Sequence, residues 1–198
     1  MKFDLRFSDR PLESLWCQAV AALAFQCPDL TGGALSGLNE KMAGFLSHLQ
    51  EKGFWTGSRG ETVLLASQDA IRAEKILLKG LGESTDYDLQ LLVSHIREVG
   101  TTFNKMEIKE FGIHIPVLQG LEEHQASQLE ICARQVANPF FQDHRGESDF
   151  VLKIIFSVEN CTDEILGPVA GRLREYFDLQ VDFSVVIDLE RENQIDIM

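Results

Sequence analysis

Five histidines, four cysteines and a surplus of carboxylates are the groups in this chain that could do chemistry. His48, His95, His114, His124 and His144 show no HExxH or HxH spacing, so no two share the short interval that a helix or hairpin needs to hold a metal. His95 and His114 are the pair that folding could bring together. Cys17, Cys27, Cys132 and Cys161 are scattered without a CxxC pair, which argues against a zinc knuckle or a redox motif and leaves them as small buried residues. No GxSxG elbow supports serine hydrolysis. The acids fall mostly on predicted helix faces and in the last ten residues, where they make a solvated surface instead of a convergent metal cage. The sequence therefore predicts no catalytic residue, no metal ligand and no cofactor.

Two glycine loops are the remaining candidates. Gly80 and Gly82 form a GLG turn between a predicted strand and a predicted helix, a place where backbone amides can meet a phosphate. Gly32 and Gly33 lie in DLTGGALSG, ahead of another helix. Neither loop carries the GxGxxG fingerprint or a P-loop lysine, so turn formation and helix entry account for these glycines better than ligand binding does. Trp16, Trp55, Phe140 and Phe141 are the aromatics placed near loops, where they could line a pocket or anchor a partner, although aromatics at loop ends more often close the core.

The elements that must position these residues alternate along the chain. Residues 2–7 alternate apolar and polar as a half-buried strand does, and residues 19–25 are an apolar run fit for a strand buried on both faces, with a helix as the alternative because of its alanines. Leu35, Leu38, Met42, Phe45, Leu46 and Leu49 then fall on one face of a single helix ending at Gly53. Residues 62–66 and 75–79 read as two interior strands. Ser84 or Thr85 can cap a helix carrying Leu89, Leu92, Ile96, Val99 and Phe103 inward and ending near Gly100 or a few residues beyond. A strand at 111–115 and a helix at 121–136, stopped by Asn138 and Pro139, follow; NPFFQDHRGESD is read as a loop. The last unit is a strand at 150–157, a helix capped by Thr162 with Ile165, Leu166, Val169, Leu173 and Phe177 facing inward, and a strand at 181–187.

That alternation predicts an α/β fold, a three-layer α/β/α sandwich with a mixed, mostly parallel sheet. At 198 residues one domain accounts for the chain, assigned to 1–188 with an acidic tail at 189–198. The balance of 31 acids against 18 bases, net charge −13, argues against nucleic acid as a partner. The longest purely apolar run spans residues 19–25, too short to cross a bilayer, and the first ten residues lack the apolar core of a signal peptide. A cytoplasmic location away from membranes is expected.

LSGLNEKMAGFLSHLQEKGFWTGSRGETVLLA, with Gly53, Phe54, Gly57, Gly60 and Glu61, and EKILLKGLGESTDYDLQLLVSHIREVG resemble the amino-terminal domain of the leucyl (cytosol) aminopeptidase family. IPVLQGLEEHQASQLEICARQVANPFFQDHRGESD resembles the helix and aromatic loop that close that domain, so the likeness covers residues 35–149. The resemblance implies a macro-domain-like fold and a role in assembly and access control beside a catalytic partner. The family's dinuclear metal peptidase centre belongs to a following domain and carries an NTDAEGRL motif; no DAEGR string occurs here. AVAALAFQCPDLTGGALSGL is similar to a macro-domain strand, glycine loop and helix, although Gln26, Cys27 and Pro28 stand where those domains usually carry an asparagine and a longer glycine run. The expected function is a noncatalytic interaction or regulatory module, self-associating or bound to a protein partner. The alternative is a binder of ADP-ribose or a similar small ligand, and a third reading is an aminopeptidase by family membership only. Residues 150–187 complete a sheet, so the chain reads as self-contained.

Overall fold

A computed structural model describes residues 1–26, 34–86, 88–116, 124–158 and 161–189. Seven strands form one sheet: β1 (Lys2–Ser8), β2 (Ala19–Ala24), β3 (Thr62–Ala66), β4 (Lys75–Gly80), β5 (Glu110–His114), β6 (Val151–Ser157) and β7 (Asp182–Asp188), in the order β3-β4-β2-β5-β6-β1-β7. Every pairing is parallel except β3 with β4. The helices are α1 (Ala34–Lys41), α2 (Phe45–Glu51), α3 (Leu89–Lys105), α4 (Gln125–Asp143) and α5 (Asp163–Phe177).

Side-chain alternation divides the core into two layers. In β2, Ala19, Ala21 and Leu23 join the cluster beneath α3, α4 and α5, whereas Val20 and Ala22 join the cluster beneath α1 and α2. β4 does the same, with Leu77 on one side and Ile76 and Leu78 on the other. A strand covered on both faces must be apolar at every position, which is why AVAALA reads as an unbroken run. The three-layer mixed α/β sandwich expected from the alternation of elements is the observed fold. The α3, α4 and α5 layer covers the sheet from β4 to β7 and leaves β3 uncovered, whereas α1 and α2 cover only the β3–β4–β2 side of the other face, leaving Val151 and Val186 exposed on its other half.

Several local expectations are corrected. The single helix ending at Gly53 is two helices, broken where Ala43 and Gly44 take positive φ (52° and 81°). The side chain of Asn39 ties the second helix to the first, accepting from the Ser47 N–H at 3.0 Å and donating to its hydroxyl at 2.8 Å. The break turns Phe45 outward, to 43% exposure, while Leu46 is fully buried. β3 is an edge strand and not an interior one: among the described residues only β4 pairs with it, and Thr62, Leu64 and Ala66 stay exposed. α3 is capped by Asp88, whose carboxylate accepts the Leu91 N–H at 2.8 Å, while residues 84–86 form a short 3-10 turn before it. α4 runs through Pro139 to Asp143, so Phe140 and Phe141 lie on a helix and not in a loop. Burial of Phe140 against Phe111 and Phe150, at ring separations of 5.9 and 6.4 Å, outweighs the backbone bond that proline removes.

Candidate functional site

In a parallel sheet of this kind ligands gather outside the carboxyl ends of the strands, so the ends of β2, β4 and β5 define the candidate crest. The second residue after β4, Gly82, has φ +78°, a conformation that L side chains rarely adopt, and its carbonyl accepts the Gln26 N–H from the end of β2 at 2.8 Å. Gly80 closes β4 itself. A Cβ there would stand 2.3 Å from the Ser58 carbonyl oxygen, so the chain at Gly57 and Ser58 lies directly across the strand end.

The amides of this turn are already in use. The Gly80 N–H donates to the Glu61 carbonyl at 2.8 Å, the Leu81 N–H to Ala24 at 2.9 Å, and the Gly82 N–H to Gly57 at 2.9 Å. None of the three points outward as a phosphate cradle would require.

Two charged residues hold the covering turn in place. Glu61 gathers it from within: its Oε2 accepts the Thr56 N–H at 2.9 Å, the Thr56 hydroxyl at 3.0 Å and the Ser58 N–H at 3.1 Å. Lys79 fastens it from the sheet, its Nζ donating to the Gly60 carbonyl at 3.1 Å and the Thr62 hydroxyl at 2.9 Å and pairing with Glu98 at 2.6 Å. The Lys79 side chain is only 5% exposed, so all three bonds offset a large desolvation cost. Sequence reasoning placed Glu61 in the turn but missed Lys79. Its signal was a lysine inside the apolar strand KILLKG, a position that asks for a buried partner.

Gly32 and Gly33 lie outside the described residues, as does Cys27. The described histidines do not converge on a metal: among the described residues no three His, Cys, Asp or Glu side chains are grouped to hold one. His95 and His114 are both buried, on α3 and β5. Burial, reinforced by Lys79 and Arg59 and opposed by Glu98, holds His95 below the ordinary histidine range. His144 bonds Glu147 at 3.0 Å and Asn104 at 2.9 Å and stacks on Phe150, a structural role at the end of α4. Burial pushes the thiols of Cys17 and Cys161 up to about 11 and that of Cys132 up to about 12, away from nucleophilic thiolates.

The aromatics separate as well. Trp55 and Phe140 are buried in the core, whereas Trp16 is 66% exposed beneath the Arg72 guanidinium, 4.2 Å from its ring. Trp16 and Arg72 border a hollow of about 630 Å³, and Phe141 borders another of about 670 Å³. Both hollows open near the amino ends of strands, away from the crest.

A mostly parallel sheet between helical layers, with its glycine turn at the end of an inner strand, defines a macrodomain-like α/β protein. The chain belongs to the cytosol aminopeptidase family: the model of that family's N-terminal domain matches residues 22–149. A probable cytosol aminopeptidase of Trichormus variabilis is 30% identical over 145 residues, 73% of this chain and 29% of the relative. One from a Cyanothece species is 26% identical over 68% of this chain and 27% of its own length. The chain thus spans less than a third of the curated relatives that it matches. Among solved structures, a tomato leucine aminopeptidase variant superposes with a TM-score of 0.65 at 17% identity, covering 84% of this chain and 34% of that one. The Trypanosoma brucei macrodomain in complex with ADP-ribose gives 0.59 at 16% identity, covering 83% and 67%. Among the described residues no helix is long and apolar enough to cross a membrane.

Proposed function

We propose that this chain is a noncatalytic assembly or regulatory domain of the cytosol aminopeptidase family, with residues 1–188 forming one domain that works through protein contacts in the cytoplasm. The observation that carries the reading is the closed crest at β4. The turn held by Glu61 and Lys79 lies over Gly80 and takes the amides of Gly80 and Gly82, while the Leu81 amide is spent on Ala24 of β2. A binding loop needs donors that are free until the ligand arrives; this one has spent them on its own backbone.

A second reading, a small-ligand site of macrodomain type, draws on the Trypanosoma brucei neighbours solved with ADP-ribose and with ADP. Such a site would use the end of β2 and the loop containing Gly32 and Gly33, not the β4 turn. A thermal-shift titration with ADP-ribose and ADP, paired with a leucyl-peptide hydrolysis assay in the presence of divalent metals, tests both. The assembly reading expects no saturable shift and no release of leucine. A ligand present at a hundred times its dissociation constant would stabilise the fold by about 2.7 kcal/mol, and a saturable shift of that size would replace the first reading with the second. Metal-dependent leucine release would overturn both.

A further inference from the structure

We infer that two copies of this chain associate through the edge of β3 that no described strand covers, which pairs with itself in antiparallel register about Leu64 to give one continuous sheet. The inference rests on the assembly reading above and names its surface.

The ladder to β4 fixes which groups point outward. Ser67 donates to the Glu74 carbonyl at 2.9 Å and Glu61 accepts from the Gly80 N–H at 2.8 Å, in the same register that pairs Thr62 with Lys79 and Ala66 with Lys75. The odd-numbered positions from 61 to 67 therefore face β4, and the N–H and C=O groups of Thr62, Leu64 and Ala66 face away from the sheet. A second β3 placed antiparallel with Leu64 opposite its own copy sets Thr62 opposite Ala66. In that register each outward N–H meets an outward C=O, so the edge is self-complementary.

Side chains and charge favour the same pairing. β3 is TVLLA, with no charged or proline residue to discourage edge-to-edge contact, and Leu64 is 47% exposed. α3 stops short of covering this strand, leaving a groove of about 410 Å³ whose lining includes Thr62, Leu77 and Thr102 and, from α3 and β4, the charged Arg97, Glu98 and Lys79, while the strand itself carries no charge. The opposite sheet edge, β7, is built differently. It carries Asp182 and Asp188 at its two ends, and antiparallel self-pairing about Val185 would set these acids against each other. For a chain of net charge −13, the uncharged edge is the one that a second copy can approach.

The test uses the whole chain in sedimentation and light scattering across a concentration series, with Leu64→Lys, Leu64→Pro and Leu64→Cys variants. Leu64→Pro removes an outward N–H and leaves the ladder to β4 intact; if it fails to fold, Leu64→Lys carries the same test. The expected result is a wild-type dimer, twice the 22.3 kDa chain, whose affinity drops by about tenfold or more in both variants with the circular dichroism unchanged. Leu64→Cys should form a disulfide-linked dimer under mild oxidation where the wild type does not, because directly opposed residues of this kind lie about 5.5 Å apart between Cα atoms. A wild type that stays monomeric, a dimer indifferent to both substitutions, or a Leu64→Cys chain that does not cross-link overturns the inference. A ladder of growing oligomers also overturns it, since self-pairing about a two-fold axis closes at two. Nucleotide binding or leucine release would sink the assembly reading in separate assays, so the two failures are distinguishable.

Discussion

At the scale of single residues, buried polar groups in this protein serve the architecture of the crest. Lys79 replaces its lost hydration with the Gly60 carbonyl, the Thr62 hydroxyl and Glu98. Lys79→Met is expected to cost about 1–3 kcal/mol, read as a lower urea midpoint, because the turn over Gly80 loses its anchor to the sheet. Gly80→Ala is expected to cost more than about 2 kcal/mol, since its methyl would collide with backbone and not with a movable side chain. His95 supplies a pH dependence. Its folded pKa is lowered, first by burial and then by Lys79 and Arg59, so the unfolded chain binds the proton more readily. Stability is then complete above a pH of about 6.5, falls as pH drops through that value, and levels off once the folded histidine is itself protonated. Urea midpoints between about pH 7.5 and 5.5 should fall for the wild type and fall less for His95→Gln.

At the scale of elements, the outcome depended on what each segment packs against. The apolar periods of α3 and α5 were legible because their faces meet the core directly: Leu92, Ile96, Val99 and Phe103 on one, Leu166, Val169, Leu173 and Phe177 on the other. α4 was misread at Pro139, where local propensity argues for a stop and the aromatic cluster of Phe111, Phe140 and Phe150 overrides it. Phe140→Ala is expected to cost about 3–5 kcal/mol and to fray α4 beyond the proline, visible as faster amide exchange at residues 141–143. The break between α1 and α2 went unseen because Leu46 and Leu49 keep a helical spacing across it, while the left-handed backbone at Ala43 and Gly44 has no periodic signature.

At the scale of the whole molecule, net charge opposes association while the β3 edge favours it. Salt screens the first and leaves backbone pairing almost untouched, so the dimer should tighten when sodium chloride is raised from about 0.05 to 0.5 M. Sedimentation at both concentrations checks this, and an affinity that weakens with salt would mean that ion pairs hold the copies together. The order of strands and helices, the two-faced burial of β2 and the family likeness of residues 35–149 were all determined by sequence, because hydrophobic period and turn glycines act over a few residues. Sequence also placed Gly80 and Gly82 at a strand-to-helix turn where amides could have been free. Only the tertiary structure decided that they are not. The chain that occupies those amides comes from Gly57 and Glu61, about twenty residues earlier, and it reaches them through an antiparallel β3–β4 pairing that no local pattern encodes. The same pairing put β3 at the sheet edge, since strand order is a property of long-range contacts and not of the strand's own composition.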